Sequence, residues 1–409
     1  MGDNGGRRSA RMAMCLCYGL TGVTAAIWGA SLPALDARLD LGTAAVGALL
    51  MVVAAAALVA MPLAGILLDR VAGSIVLRMA LPASAIALLG PALTESVPAL
   101  FVCAAVLGAL FGILNVSLSV AAVAVELATG PVMSTAHGVW TLGAVTGGAA
   151  VAAGLFIGLD LRLVTCLVAL VVAATALASS AGVSLSLGMP TAKPVVNADP
   201  SGRRRLNGRA VVALGLIGAA AFVSEGAATD WAGIHATRVL GAEAAQGSLV
   251  FTGFFAAMTV VRFAGDALRG RFGPRRTIGT SGAVAAAGYL AVLLSPLAPP
   301  QYSVATAMGG WILAGAGMAI VWPIVASTVG AAAGSPRQLS LVTAISFGGG
   351  LVGPGVIGLV AGGAGLSNAL LIPAALAALV AIAAPAAVAA LTTRTTHREG
   401  DRDDALINN

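Results

Sequence analysis

The sequence predicts an all-α membrane protein with twelve transmembrane helices arranged as two six-helix halves. Three observations carry this: composition, the length of the uncharged runs, and the placement of basic residues. Of 409 residues, 59% are hydrophobic and only 9% charged, with a mean hydropathy of +0.98. A soluble chain of this length needs far more charge to cover its surface, so most of the surface must meet lipid.

The uncharged runs are long enough to cross a hydrocarbon core about 30 Å thick. In the first half they cover 12–35, 43–68, 75–93, 99–125, 132–159 and 163–185. In the second half they cover 210–234, 245–268, 277–297, 302–333, 339–363 and 367–391. None shows the period-two alternation of a membrane β-barrel. The first run is too long for a signal-peptide core and is expected to be retained.

Basic residues set the orientation. With the N-terminus inside, eighteen of the 22 Lys and Arg residues fall on inner segments. Arg38, Arg162 and Arg238 fall on outer loops, and Arg262 lies within a span. The expectation is a multi-pass protein of the cell inner membrane with both termini cytoplasmic. The net charge of +6 then reflects topology and contact with anionic lipid head groups. Basic stretches lack interleaved aromatics, so nucleic acid is not an expected partner. Cys15, Cys17, Cys103 and Cys166 sit in apolar spans at spacings that suit neither zinc nor a disulfide framework.

A polar stretch separates two sets of six spans. It holds Pro190, Pro194 and Pro200, followed by Arg203, Arg204 and Arg205, and reads as an interdomain linker. The expected domains are a first half over 1–188, a cytoplasmic linker over 189–209, a second half over 210–391 and a cytoplasmic tail over 392–409. The halves resemble each other at an offset slightly above two hundred residues. Trp28 lines up with Trp231, Met133-Ser134 with Leu339-Ser340, Gly143 with Gly349, and Gly147-Gly148 with Gly353-Pro354. A parallel repeat of six helices, with a solute held between the halves near the midplane, is a transporter design.

Ionisable groups deep in a span are costly and are therefore functional candidates. Glu225 lies about fifteen residues into its span, after fifteen positions (210–224) without another charge. It reads either as a proton- or substrate-binding carboxyl or as a neutral or paired tie between helices. Asp230 and Trp231 follow toward the outer interface, where Trp is a common anchor; Trp28 occupies the matching place in the first half. His137, Trp140, Thr141, Ala144 and Gly148 share one helical face of the fifth span, and a polar face there should look into the bundle. Asn115, mid-way along the fourth span, can hydrogen-bond either an uncharged solute or a neighbouring helix. Glu126 closes that span and reads as a partner for a basic loop residue. Arg262 and Asp266, four apart, are expected to form an intrahelical pair. Gly348-Gly349-Gly350 reads as close helix packing, and Gly353-Pro354 as a break or kink in the eleventh span.

No G-x-x-x-x-G-K-[ST] nucleotide loop, Ser-His-Asp arrangement or metal cluster is readable. An enzyme, a cofactor and a metal are therefore not expected. Few charges line the spans, so the cargo is expected to be neutral or weakly charged. Aromatics are only 4% of residues, which argues against a sugar site lined by many rings.

Two short segments carry a family resemblance. Gly65-Ile66-Leu67-Leu68-Asp69-Arg70-Val71-Ala72-Gly73 stands between spans two and three. Gly265-Asp266-Ala267-Leu268-Arg269-Gly270-Arg271-Phe272-Gly273-Pro274-Arg275-Arg276 stands between spans eight and nine. Both resemble the G-x-x-x-D-R-x-G-R-[RK] signature of the major facilitator superfamily. The first copy has an extra residue before Gly73, and Ser74 where a basic residue is expected. The second has Gly270 in place of the acid, with Asp266 a turn earlier. The resemblance implies the major facilitator fold. It also implies a conformational lock involving Asp69, Arg70 and Arg271, with Arg262 and Asp266 beside it. Residues 115–148, Glu225 to Trp231, and Gly353 to Gly358 resemble the YbjJ-like branch of that superfamily. The expected function is a secondary transporter of a small solute, proton-coupled and working by rocker-switch alternating access, with protons and lipids as further partners and a monomer as the unit. An uncoupled facilitator, a ligand-sensing receptor and a membrane-embedded enzyme are the alternatives.

Overall fold

Backbone N–H and C=O groups find no water in a hydrocarbon layer, so long apolar runs satisfy them internally as helices. The computed structural model describes residues 3–68, 70–129, 132–186, 207–332 and 336–407, and the statements below concern these. Its helices are α1 (Asp3–Leu39), α2 (Gly42–Leu68), α3 (Gly73–Ala87), α4 (Leu89–Leu93), α5 (Val97–Thr129), α6 (Met133–Phe156) and α7 (Leu161–Ser186), then α8 (Gly208–Ile234), α9 (Ala244–Leu294), α10 (Pro300–Met318), α11 (Val321–Ala332), α12 (Pro336–Ala364), α13 (Leu366–Ala369) and α14 (Leu371–Ile407). A π-helical turn, His235–Val239, continues α8. Among the described residues, 12 helical segments are long and apolar enough to cross a membrane, and there is no strand.

The same packing pairs recur in the two sets of six. Span one lies against span five (α1 with α6) as span seven lies against span eleven (α8 with α12). Span two lies against span four (α2 with α5) as span eight lies against span ten (α9 with α10). Span three lies against span six (α3 with α7) as span nine lies against span twelve (α9 with α14). Lipid offers no hydrophobic drive between helices, so small residues that let backbones approach do much of this work. Gly22 meets the Trp140 carbonyl and Gly143 the Gly19 carbonyl, which draws α1 and α6 together; Gly112 meets Ala57 across α2 and α5.

Three expectations about local structure change. Spans eight and nine are expected to be joined by a loop over 265–276. Instead α9 is helical throughout, apart from Gly273 at φ 76° and ψ 157°. Only glycine adopts that conformation without strain, and Pro274 then starts the next helix, where its missing N–H costs nothing. Span ten, expected as one helix, breaks between α10 and α11. Pro323 explains this, because it has no N–H to donate to the Ala319 carbonyl four residues back. The Gly353-Pro354 pair, expected to break or kink span eleven, does not break it and lies inside the continuous helix α12. The expected linker falls almost wholly outside the described residues. Its last positions are in place, with Asn207 capping α8 by accepting from the Ala210 N–H at 2.7 Å.

We call the end bearing Arg70, Arg269, Arg271, Arg275 and Arg276 the basic end, and the end bearing the α1–α2 turn the far end. The two sets of six meet through α2 with α12, α6 with α9, and α1 with α8 and α9. Much of this contact lies toward the far end. Gly47 of α2 faces Gly358 of α12 backbone to backbone, Gly29 of α1 faces Thr229, and Ser248 donates to the Ala30 carbonyl at 2.6 Å. One such hydrogen bond contributes only about 0.6 kcal/mol in a membrane protein, so the closure rests mainly on packing.

Candidate functional site

Glu225 is the eighteenth residue of a 32-residue span, Gly208–Val239. The exposed stripe of α8 runs through Val212 and Leu216, and Glu225 lies on the opposite face, about 180° from Leu216 at 100° per residue. It therefore points into the bundle. There it accepts from the Arg262 guanidinium of α9 at 3.0 Å, with side-chain exposures of 16% for Glu225 and 15% for Arg262. The carboxylate is thus paired across helices, and the intrahelical Arg262–Asp266 pair expected from the sequence falls on a side chain that is not described. Arg262 also donates from Nε to the Ala319 carbonyl at 3.3 Å. That carbonyl is the one Pro323 leaves without an intrahelical donor, so the break in span ten creates the acceptor that orients the guanidinium.

The other half supplies His137 from α6. Arg262 is close enough for its charge to bear on this imidazole, whose ring stands edge-on to Tyr18 of α1 at 5.4 Å. Trp140, one turn along α6, meets Phe255 of α9 at 6.0 Å. Gly148 leaves room for Phe251 and Thr252, and Ala144 and Thr141 are buried. The polar face of α6 therefore lies against the second half, away from the exposed Leu142, Thr146 and Ala149. On the basic-end side of the ion pair, Phe222 stacks on Phe347 at 4.3 Å, and Trp322 closes on both at 5.4 and 5.9 Å. All three rings are half-buried.

Other candidates lie elsewhere. Asn115 is exposed on a face of α5 about 140–180° from its exposed apolar stripe of Val102, Val106 and Val120, and the exposed Ser119, one turn on, lies about 100–140° from that stripe. A polar strip set apart from the lipid-type strip is what a water-lined cleft requires. Asp230 is five residues after Glu225, hence about 140° round the helix, so the two carboxyls face different sides. Trp231 is fully buried, donating Nε1 to the Pro354 carbonyl at 2.9 Å. Trp28 is buried within the first half beside Leu88, Pro91 and Leu161. The two tryptophans are packing elements of their own halves and do not join the ion pair.

At the basic end, Asp69 lies outside the described residues, as does the Glu126 side chain. Arg70 is exposed in the turn after α2, and Arg271 is exposed over the Phe272 ring at 5.4 Å. Arg269 donates to Ser327 of α11 at 2.9 Å.

Sequence reasoning missed a second ion pair, at the far end. Arg238 binds both oxygens of Asp36, from Nε and, at 2.9 Å, from a terminal nitrogen, and reaches Asp40 at 3.2 Å. Asp36 is 1% exposed and also accepts from the Gly42 N–H at 3.0 Å. Asp36 belongs to the first half and Arg238 to the second, so this pair joins the halves directly. A signal existed: Trp28 and Trp231 set a repeat offset of 203, and Asp36 and Arg238 are 202 apart. Opposite charges at nearly equivalent repeat positions meet across a pseudo-two-fold axis. Arg38, by contrast, donates to the Pro91, Ala92 and Thr94 carbonyls, which ties down the end of α4 inside one half.

No protein-family model matches the chain. It is 29% identical to an uncharacterized transporter, y4wD, of Sinorhizobium fredii over 84% of this chain and 88% of that one. It is 28% identical to an uncharacterized MFS-type transporter of Yersinia pestis, over 88% and 91%, and 29% identical to membrane protein MosC of Rhizobium meliloti, over 91% and 89%. Among solved structures it resembles the nucleoside transporter NupG (TM-score 0.65, 15% identity, 93% of this chain and 99% of that one). It also resembles a bacterial homolog of the human lysosomal transporter Spinster (TM-score 0.67, 17% identity, 95% and 97%). The fold is the major facilitator fold, and over nearly its whole length the chain is similar to proteins named as transporters.

Proposed function

We propose that this chain is a secondary transporter of a small solute, not an enzyme, and that its two halves alternate access while Glu225 couples transport to protons. The observation that carries the reading is the partly open Glu225–Arg262 pair, with Glu225 mid-span. A buried ion pair adds little to stability relative to an apolar isostere, yet breaking it strands a charge. Such a pair suits a site whose partners change during a cycle. His137, Trp140 and Asn115 then line the path, and Asp230 stands as the reserve carboxyl.

The finer expectations remain part of the proposal. The basic end is cytoplasmic, with Met1 and Asn409 on that side of the inner membrane. The halves are 1–188 and 210–391, and the protein works as a monomer. The basic-end segments with Asp69, Arg70 and Arg271 close when the far end opens. By the resemblance of residues 115–148, 225–231 and 353–358, the chain is placed in the YbjJ-like branch of the major facilitator superfamily. On this orientation, the Asp36–Arg238 contact closes the outer side in the conformation described above. An uncoupled facilitator is the second reading, favoured by the pairing of Glu225, since a paired carboxylate also serves as a tie.

A thermal-shift screen on purified protein supplies the solute, and proteoliposomes with and without a proton gradient then separate the readings. Glu225→Gln keeps volume and hydrogen-bonding capacity. It is expected to retain gradient-free exchange within about threefold, while gradient-driven accumulation falls by about tenfold or more. Full accumulation by the variant leaves the facilitator reading and removes the coupling role. Reporter fusions test topology: signals from Met1, Asn197 and Asn409 are expected on the cytoplasmic side, and an external Asn197 breaks the two-halves arrangement.

A further inference from the structure

Arg262 is placed as a receptor that already holds a carboxylate. Its guanidinium has five N–H donors and spends one on Glu225 and one on the Ala319 carbonyl. The planar fork matches a carboxylate in a two-bond geometry, whereas Glu225 takes a single bond. The Ala319 contact holds the guanidinium in place independently of Glu225.

The approach to this group from the basic end is aromatic. Phe222 sits three residues before Glu225 on the same face of α8, and Trp322 follows Ala319 at the start of α11. Phe347 of α12 completes the cluster, with ring centroids 4.3 to 5.9 Å apart. Half-buried rings one turn from Glu225 and three residues from Ala319 give this ionic anchor an apolar neighbourhood.

Resting on the transport reading above, we infer that the solute is a monocarboxylate with a flat apolar or aromatic body. It binds Arg262 in place of the Glu225 carboxylate, against Phe222, Trp322 and Phe347. Charge balance selects the class. With Arg262 taken by the solute, an ionised Glu225 stands unpaired in a low-dielectric region, which is costly. It therefore takes up one proton from water, and the site holds the same net charge before and after binding. A dianion leaves an excess negative charge, and a neutral solute leaves the ion pair closed. Among the described side chains, the other titratable groups near the pair are His137 from α6, Tyr18 behind it on α1, and Tyr289 of α9, which shares a hydrogen bond with Ser224 at 2.6 Å. Asp230 faces another side of α8. Among the described residues, Arg262 is the cation that Glu225 is paired with.

Two acid–amide pairs test this on the purified full-length chain: benzoate with benzamide, and indole-3-acetate with indole-3-acetamide. Binding is read by calorimetry between pH 6 and 8, where both acids stay ionised, and proton uptake by a pH-indicator dye. At least one acid is expected to bind about tenfold or more tightly than its amide, with uptake of about one proton per bound acid. Arg262→Gln removes the preference for the acid. Glu225→Gln removes the competing carboxylate, tightens acid binding about fivefold and abolishes proton uptake. The Glu225→Gln/Arg262→Gln double variant loses both charges together, so it keeps a folded control without a stranded ion. Amides binding as tightly as acids, no binding by either acid, or weaker acid binding by Glu225→Gln overturns the inference. The transport reading fails on a different result, the absence of accumulation and of alternating accessibility for any screened solute.

Discussion

Two of the arginine–carboxylate pairs, one mid-bundle and one at the far end, differ in what they connect. Glu225 and Arg262 lie 37 residues apart on α8 and α9 of one half, partly open, with aromatic rings on one side. Asp36 and Arg238 lie 202 residues apart and bridge the halves at the far end, with Asp36 sealed from water. A pair inside one half survives a rocking motion and is free to exchange partners with a solute. A pair between halves breaks whenever its end opens. On the cycle proposed above, similar chemistry serves two roles: the first pair responds to ligand, and the second resists opening of the far end.

This contrast can be broken at the far end. A buried reporter is available at Ser248, which touches α1 from the other half. With the four native cysteines replaced by serine, Ser248→Cys labelling by a membrane-impermeant maleimide measures far-end opening. The largest effect is expected from Gly358→Leu. A Cβ there meets the Gly47 backbone and the Trp231 ring; overpacking of this kind costs about 1–3 kcal/mol, so labelling rises about tenfold or more. Unchanged labelling would mean that α2 and α12 do not form the closure.

Asp36→Asn comes next. It keeps the shape and the Gly42 contact but removes the charge that Arg238 holds, and labelling is expected to rise about three- to tenfold. Asp40→Asn is the smallest: its side chain is 93% exposed, and an exposed pair contributes little, so the change stays within about twofold. Glu225→Gln sharpens the comparison, since far-end labelling without solute is expected to match the parent within about twofold. If Asp40→Asn matches Asp36→Asn, Arg238 acts through general charge and not through the buried two-bond contact.

Much of the architecture was legible from the residues. Every expected span has a helical counterpart, because an uncharged run of that length has few other ways to satisfy its backbone in lipid. The two misread connections both trace to single residues. Gly273 permits a one-residue break where a loop seemed necessary, and Pro323 splits span ten by withholding a donor. The site was legible only in part. Glu225 and His137 stood out as ionisable groups in apolar spans, and the polar face of α6 followed from its periodicity. The Arg262–Glu225 contact was not foreseen, because Asp266 is four residues from Arg262 and local spacing favours neighbours in sequence over neighbours in space.

By itself the sequence determined the helical membrane class, the spans, the charge asymmetry and the repeat, since each depends on local composition and on the energetics of a backbone in lipid. Tertiary structure decided which charges meet. Arg262 could turn toward Asp266 on its own helix or toward Glu225 on another, and the carbonyl freed by Pro323 on a third helix fixes its direction. Asp36 and Arg238 meet only because two halves, each folded on its own local pattern, close on one another. Contacts of that kind depend on the relative placement of helices, which no single span encodes.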